Sequence, residues 1–359
     1  MRRVIGVLVA VALLCGVGLA VYLHAGQAED LKPVRVLIGS EKAEFFNDPE
    51  VAAEFRANGL DVRQQTIGSW SMAGSDLNGV DLAFPASRGP AEEIAKSKGI
   101  TTEPVRPFYS PLVVIAHRST AEVLKANDLA EQSGQNPWKL RMGPYMEAVR
   151  NDTKWSQLKG AAGKAELSGD IYLTTTDPRT SSSGALHLAA VSYLANGERV
   201  VADDAGFDRV GTLLKKLTDK QGDQKTSSDG PFSDFRSGVG NPLVLVYESQ
   251  VASLKAHGIS TGDLVVLYPD TTVWSDHTAV GLTPEGRKVA ELLRDSPKLR
   301  ALEARHGFRP TADPGALGKA LEGHQGPDFA ADLATADIRQ AQVAAVPVLA
   351  KLVEAAKGK

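Results

Sequence analysis

Residues 174–184 read Thr-Thr-Thr-Asp-Pro-Arg-Thr-Ser-Ser-Ser-Gly, followed by an apolar pattern of helical spacing. A guanidinium and several hydroxyls therefore stand where a β-branched run gives way to a helix. The first four N–H groups of a helix have no intrahelical partner and lie at the positive end of its dipole. A small anionic or polar molecule placed there regains hydrogen bonds that it loses on leaving water. Hydroxyls add donors, and arginine adds a planar fork that matches oxyanions. The same chemistry recurs at Gly39-Ser40, at Gly68-Ser69-Trp70-Ser71 and at Pro85-Ala86-Ser87. Ser40, Ser69, Ser71, Arg179, Thr180, Ser181 and Ser182 are the candidate ligand-contacting residues, with Tyr247 and Glu248 at the end of a further apolar run. Singly, each has a plainer role: serine as a helix cap, arginine as a surface ion-pair partner, tyrosine as packing, Glu248 as an acid at a helix N-terminus. Recurrence at several junctions is what favours a ligand.

Nearby acids bear on the sign of that ligand. Glu41 and Glu44 follow the first junction, Asp177 stands beside Arg179, and Glu248 follows a buried strand. If two or more of them face the site, an anion is disfavoured, and a cation, a zwitterion or a polyol fits better. Trp274, Asp276 and His277 lie where the chain is expected to return toward its first half, as hinge or cleft residues.

Catalytic signatures are missing from the sequence. There is no Gly-x-Ser-x-Gly elbow, no His-Glu-x-x-His and no Gly-x-x-x-x-Gly-Lys loop. Ser156 to Lys159 fits Ser-x-x-Lys, without companion motifs. The seven histidines include no i, i+4 pair. A hydrolase using a serine of 181–183 is the weakest of the readings. We expect no catalytic residue, no metal site and no cofactor.

The elements that must position these junctions alternate in type. Residues 34–38 form an apolar strand ending at Gly39-Ser40, and Asp48-Pro49 opens a helix. Residues 60–67 and 80–84 are two more strands, ending at Gly68-Ser69 and Pro85-Ala86-Ser87, and a helix closed by Gly99 follows. Residues 107–117 form a long apolar strand. Residues 170–177 read as a strand leading into the serine-rich junction, and 242–256 as strand then helix. Two strand segments flank Pro269-Asp270. Thr283-Pro284 starts a helix, and Pro347 starts or kinks a last one. Such alternation predicts an open α/β sheet, whose ligands lie beyond the carboxyl ends of its strands.

This order of elements, with Thr283-Pro284-Glu285-Gly286 and Gly307-Phe308-Arg309-Pro310 near its end, resembles the type II extracytoplasmic solute-binding proteins that feed ABC importers. It is nearest the branch for molybdate, sulfate and phosphate, and covers roughly residues 33–311. The resemblance implies an α/β, two-lobe periplasmic binding protein type II fold. Each lobe is then a mixed sheet flanked by helices, and two crossing segments form the hinge. Lobe 1 comprises residues 31–110 plus 275–359, and lobe 2 residues 111–274. The implied function is capture of a small polar solute, an oxyanion among the candidates, and delivery to a membrane permease. The alternative is a membrane-anchored sensor or interaction module that keeps the two lobes without transport.

Bulk properties agree with an exported protein. At 359 residues, the chain exceeds one ordinary core. Two arginines precede an uninterrupted apolar run, Val4 to Leu23, so residues 1–28 read as a signal peptide or membrane anchor. The single cysteine, Cys15, lies in that run, which leaves the rest without disulfides. Without residues 1–28 the 40 basic residues fall to 38 against 43 acidic ones, a net charge of −5. That balance argues against nucleic-acid partners. The expected partners are a small polar or anionic ligand and an ABC permease or another membrane protein complex, in the bacterial cell envelope.

Overall fold

The computed structural model describes residues 31–134 and 136–358. The expected signal or anchor at 1–28 lies outside the described residues. Strand β1 (Lys32–Ile38) pairs in parallel with β2 (Leu60–Thr66) and with β3 (Leu82–Phe84). Parallel pairing needs crossover connections, here helices α1 (Ala43–Asn47) and α2 (Pro49–Ala57) between β1 and β2. Val34, Val36 and Ile38 pack with Phe45, Phe46, Val51 and Phe55, so the helices cover one face of the sheet. Leu37 and Ala83 join a second cluster with Met72 and with Ile94 of α3 (Arg88–Ser97) on the other face. Both faces of β1 and β3 are covered, which explains their apolar runs, whereas β2 at the sheet edge reads Leu-Asp-Val-Arg-Gln-Gln-Thr and is largely unburied.

Strand β4 (Val105–His117) leaves this unit. Its first half pairs antiparallel with β10 (Trp274–Gly281), and its second half with β7 (Val244–Tyr247) and β8 (Leu264–Pro269). Strand β10 also pairs with β3. These two long strands are the crossing segments of a two-lobe fold.

The second lobe contains α4 (Arg118–Ala126), β5 (Ala130–Glu131), β6 (Trp138–Leu140), α5 (Met142–Arg150), α6 (Ser182–Ala195), α7 (Asp204–Asp219), α8 (Asp229–Arg236) and α9 (Glu248–Ala256). Residues 170–177 differ from expectation. The stretch makes two isolated bridges, Asp170 antiparallel to Lys154 and Thr174 parallel to Val244, and no continuous strand. On the side facing away from Val244, the Thr175 amide donates to Gln221 Oε1 (2.6 Å), a side chain in place of a neighbouring strand.

After β10 the chain re-enters the first lobe as α10 (Pro284–Asp295), α11 (Pro297–Arg305) and β11 (Arg309–Pro310). The Thr283-Pro284-Glu285-Gly286 turn has a physical reason. Thr283 Oγ1 accepts from the Gly286 amide (3.1 Å) and donates to Asp81 Oδ1 (3.0 Å). A Cβ on Gly286 would collide with the Asp81 carbonyl, so only glycine lets α10 dock beside β3.

The tail corrects the expected lobe boundaries. Helix α12 (Ala316–Leu321) packs Leu317 and Leu321 on Ala252 and Ala256. Strand β12 (Arg339–Gln340) pairs with β9 (Thr271–Thr272), and α13 (Val346–Lys357) lies on α6 and α7. Helix α12 also packs against α11 of the first lobe, whereas β12 and α13 lie on the second lobe rather than staying with residues 31–110. Leu349, Leu352, Val353 and Ala356 form one helical stripe, all buried in the second lobe's main core. Burying such a large apolar side chain contributes about 1.5–3 kcal/mol, which holds the tail there. Pro347 lies in the first turn of α13, so it starts that helix instead of kinking it.

Candidate functional site

The junctions of the two lobes meet. The Thr180 carbonyl accepts from the amides of Trp70 (3.0 Å) and Ser71 (3.3 Å). A Cβ on Gly68 would lie 2.5 Å from that carbonyl, so glycine is needed for the approach. Ser87 Oγ lies 2.9 Å from Ser182 Oγ, a second hydrogen bond between the lobes.

Ser183 Oγ sits between Thr176 Oγ1 (2.8 Å) and Ser181 Oγ (3.0 Å). These hydroxyls spend their hydrogen bonds on one another, and Ser181 leaves its helix uncapped by its side chain. The Tyr247 phenol lies beside the hydroxyls of Ser183 and Ser275 and is fully buried, which pushes its pKa well up. The Ser275 hydroxyl donates to the Ala86 carbonyl.

Next to this seam lies a buried charged cluster. Lys42 follows Gly39-Ser40-Glu41 in a single turn of 3-10 helix, and its ammonium pairs with Glu41. It also lies 3.1 Å from His277 Nδ1 and 4.9 Å from the centre of the Phe84 ring. Lys42 and His277 are fully buried, and burial lowers the pKa of both; for His277 the Lys42 charge adds to the effect. His277 is therefore neutral. Its Nε2 has no hydrogen-bond partner, nor has Ser69 Oγ. Buried polar groups are nearly always paired, and these two are among several buried polar atoms without a partner among the described residues. The Glu41 carboxylate oxygens approach the Gly39 Cα so closely that a Cβ there would lie 2.5 Å from them.

The remaining sequence candidates fall at varied distances from this centre. Ser40 lies at its edge, its hydroxyl beside the Asp229 carboxyl. Ser71 Oγ donates to the Gly68 carbonyl (3.1 Å), and Thr180 Oγ1 to that of Asp177 (3.2 Å). Arg179 turns to solvent, its side chain 42% exposed and bonded to Asp177 through Nε (3.3 Å) and Nη2 (3.1 Å). Glu248 is fully buried away from the seam in a bidentate pair with Arg309, Oε2 to Nε at 2.6 Å and Oε1 to Nη2 at 2.8 Å. Tyr109 stacks on Trp274, with ring centres 5.6 Å apart.

Sequence reasoning passed over Lys42 and Asp229 and gave His277 only as a hinge or cleft residue, outside the set of ligand-contacting candidates. The one local signal was position: Lys42 belongs to the same strand-end turn as Ser40 and Glu41. Nothing local marks Asp229, which arrives from a polar loop 188 positions after Glu41. Two openings flank the seam. One, of ≈ 490 Å³, includes Ser40, Glu41, Glu44, Asp229, Phe232 and Gln250. The other, of ≈ 660 Å³, is bounded by Trp70, Trp274 and tail residues 340–344.

The family model for a bacterial extracellular solute-binding protein matches residues 34–309. The chain belongs to this family. The match spans both crossing strands and every junction described above. No match was found among curated protein sequences. Solved structures of similar fold include the sulfate-binding protein SubI of Mycobacterium tuberculosis H37Rv, 14% identical over 82% of this chain and 92% of that one, with a TM-score of 0.50. A periplasmic thiamin-binding protein is 13% identical over 90% and 96%, with a TM-score of 0.57. Iron-bound HitA of Pseudomonas aeruginosa is 11% identical over 91% and 98%, with a TM-score of 0.58. At these identities the likeness is one of fold: the two-lobe, type II periplasmic binding architecture. Among the described residues no helix is long and apolar enough to cross a membrane.

Proposed function

We propose that this solute-binding protein captures a small polar solute between its lobes and delivers it to a membrane transporter of the ABC importer type. Capture is by binding, not by covalent chemistry. The carrying observation is the buried interlobe seam, where Ser69 Oγ and His277 Nε2 lack partners beside the Lys42–Glu41 pair. A solute with several hydrogen-bonding groups would satisfy both atoms and draw the lobes together. A simple oxyanion fits less well, because Lys42 and Arg179, which belong to the meeting junctions, are already held by Glu41 and Asp177. Family membership implies an extracytoplasmic protein; tethering or secretion through residues 1–28 is part of this proposal.

A thermal-shift panel of sugars, amino acids, oxyanions and organic cations tests the reading. A ligand that binds only the folded state raises the melting temperature in proportion to ln(1 + [L]/Kd). We expect a concentration-dependent rise with one solute class. A flat response to all four classes would count against solute capture.

A further inference from the structure

The ≈ 490 Å³ opening carries three carboxyls, those of Glu41, Glu44 and Asp229. Glu41 is paired with Lys42, whereas Glu44 and Asp229 have no ion-pair partner among the described residues. Burial pushes the Asp229 carboxyl up in pKa, and the neighbouring Glu41 and Glu44 charges add to it. The cavity lining therefore carries more carboxyls than cationic side chains: three against the Arg236 guanidinium, with Lys42 behind Glu41. An independent observation lies on the same wall. Ser249 is 2% exposed, lines the cavity, and its Oγ has no hydrogen-bond partner. The wall also offers aromatic faces, Phe45, Phe232 and Phe308. One of them already holds a cation, since the exposed Arg236 guanidinium lies 5.8 Å over the Phe232 ring. Among the described residues no three His, Cys, Asp or Glu side chains are placed to hold a metal ion.

We propose that this cavity receives the cationic end of the captured solute, an organic ammonium or guanidinium group. Glu44 and Asp229 are its counter-charges, Ser249 Oγ its hydrogen-bond acceptor, and Phe232 the aromatic wall, with the Arg236 guanidinium displaced. The assignment rests on the solute-capture reading and names its solute class. Two carboxylates facing one cation recover the charge's hydration better than the uncharged walls of a sugar site would.

Calorimetric titration of the full chain tests it with putrescine, choline and arginine as cationic probes, and with sulfate and glucose as anionic and neutral ones. At least one cationic probe should bind. The Glu44→Gln/Asp229→Asn double variant should weaken that binding at least tenfold, with an unliganded melting temperature equal to or above that of the parent, because like-charge repulsion is relieved. Arg236→Gln should tighten it severalfold by removing the competing cation. Unchanged affinity in the double variant overturns the cationic subsite. So does binding of sulfate or glucose with no cationic probe bound, and in that case solute capture stands. Failure of all five probes overturns both readings.

Discussion

Two of the buried ion pairs among the described residues, Arg309–Glu248 and Lys42–Glu41, are built differently. Arg309 and Glu248 form a closed network. The guanidinium grips the carboxylate with two parallel hydrogen bonds and gives a further one to the Ala330 carbonyl (2.5 Å). The Tyr268 hydroxyl donates to Glu248 and accepts from the Ala330 amide (3.1 Å). This network ties β11, α9, β8 and the tail together. Lys42 and Glu41, in contrast, share their pair with a neutral histidine whose second nitrogen has no partner, beside an unpartnered serine hydroxyl. A buried pair with every group satisfied acts as a staple. A buried pair bordered by orphans is, in the function proposed above, where the solute supplies the missing partners.

The largest test removes the staple. Arg309→Met leaves Glu248 buried without its counter-charge, which typically costs about 3–5 kcal/mol. Calorimetric unfolding should show a loss in that range, and a loss below about 1 kcal/mol would mean the network does not hold the tail.

A buried titratable group outside both pairs gives a contrast through pH. Burial alone lowers the His187 pKa from 6.5 to about 4. The folded state therefore binds that proton less readily than the unfolded chain. Stability should fall as pH drops from about 6.5 through 4, by on the order of 3 kcal/mol in all. Denaturant midpoints measured from pH 7 to pH 4 check this. In His187→Leu the slope over that window should flatten; an unaltered slope would assign it to other groups.

Lys42→Met should cost less than Arg309→Met, about 1–3 kcal/mol, because the carboxylate it leaves behind borders an opening that water can enter. Its larger consequence should be loss of the solute-induced thermal shift. If stability drops as far as in Arg309→Met while the shift survives, the two pairs are alike and the contrast fails.

The smallest effect on stability is expected for Gly68→Ala. The added methyl meets the Thr180 carbonyl of the opposite lobe and leaves each lobe's own core intact. Unliganded melting should change by less than about 1 kcal/mol. Small-angle scattering should show a more open molecule and a weaker compaction on adding a bound probe. Compaction equal to that of the parent would show that the lobes meet some other way.

How far the sequence could be read depends on how local each signal was. Strand ends at Gly39, Gly68 and Pro85 were visible because apolar runs stop there at small residues. Thr283 and Gly286 were visible because a cap and a glycine stand at fixed spacing around Pro284. Arg179 looked like a ligand clamp by type and position, yet Asp177 two residues earlier takes its guanidinium, a choice that residue type alone does not reveal. Residues 170–177 carry strong strand propensity, but only isolated bridges form there, and the Thr175 amide is taken by the distant Gln221 side chain. The tail was placed with the lobe that precedes it in sequence, whereas its apolar stripe packs on α6 and α7, more than 100 residues away.

The sequence by itself determined the alternating α/β order and the recurrence of hydroxyl-bearing turns at strand ends, whereas the crossing strands were implied only by the family resemblance. The order and the turns depend on periodicity, propensity and glycine placement within a few residues. Only the tertiary structure decided which of those turns face one another, that Lys42 and His277 are buried together, and that Glu44 and Asp229 share a wall. Those are juxtapositions of residues far apart in the chain, and their energetics come from burial and from the presence or absence of a partner. Neither quantity exists until the two lobes have folded around the crossing strands.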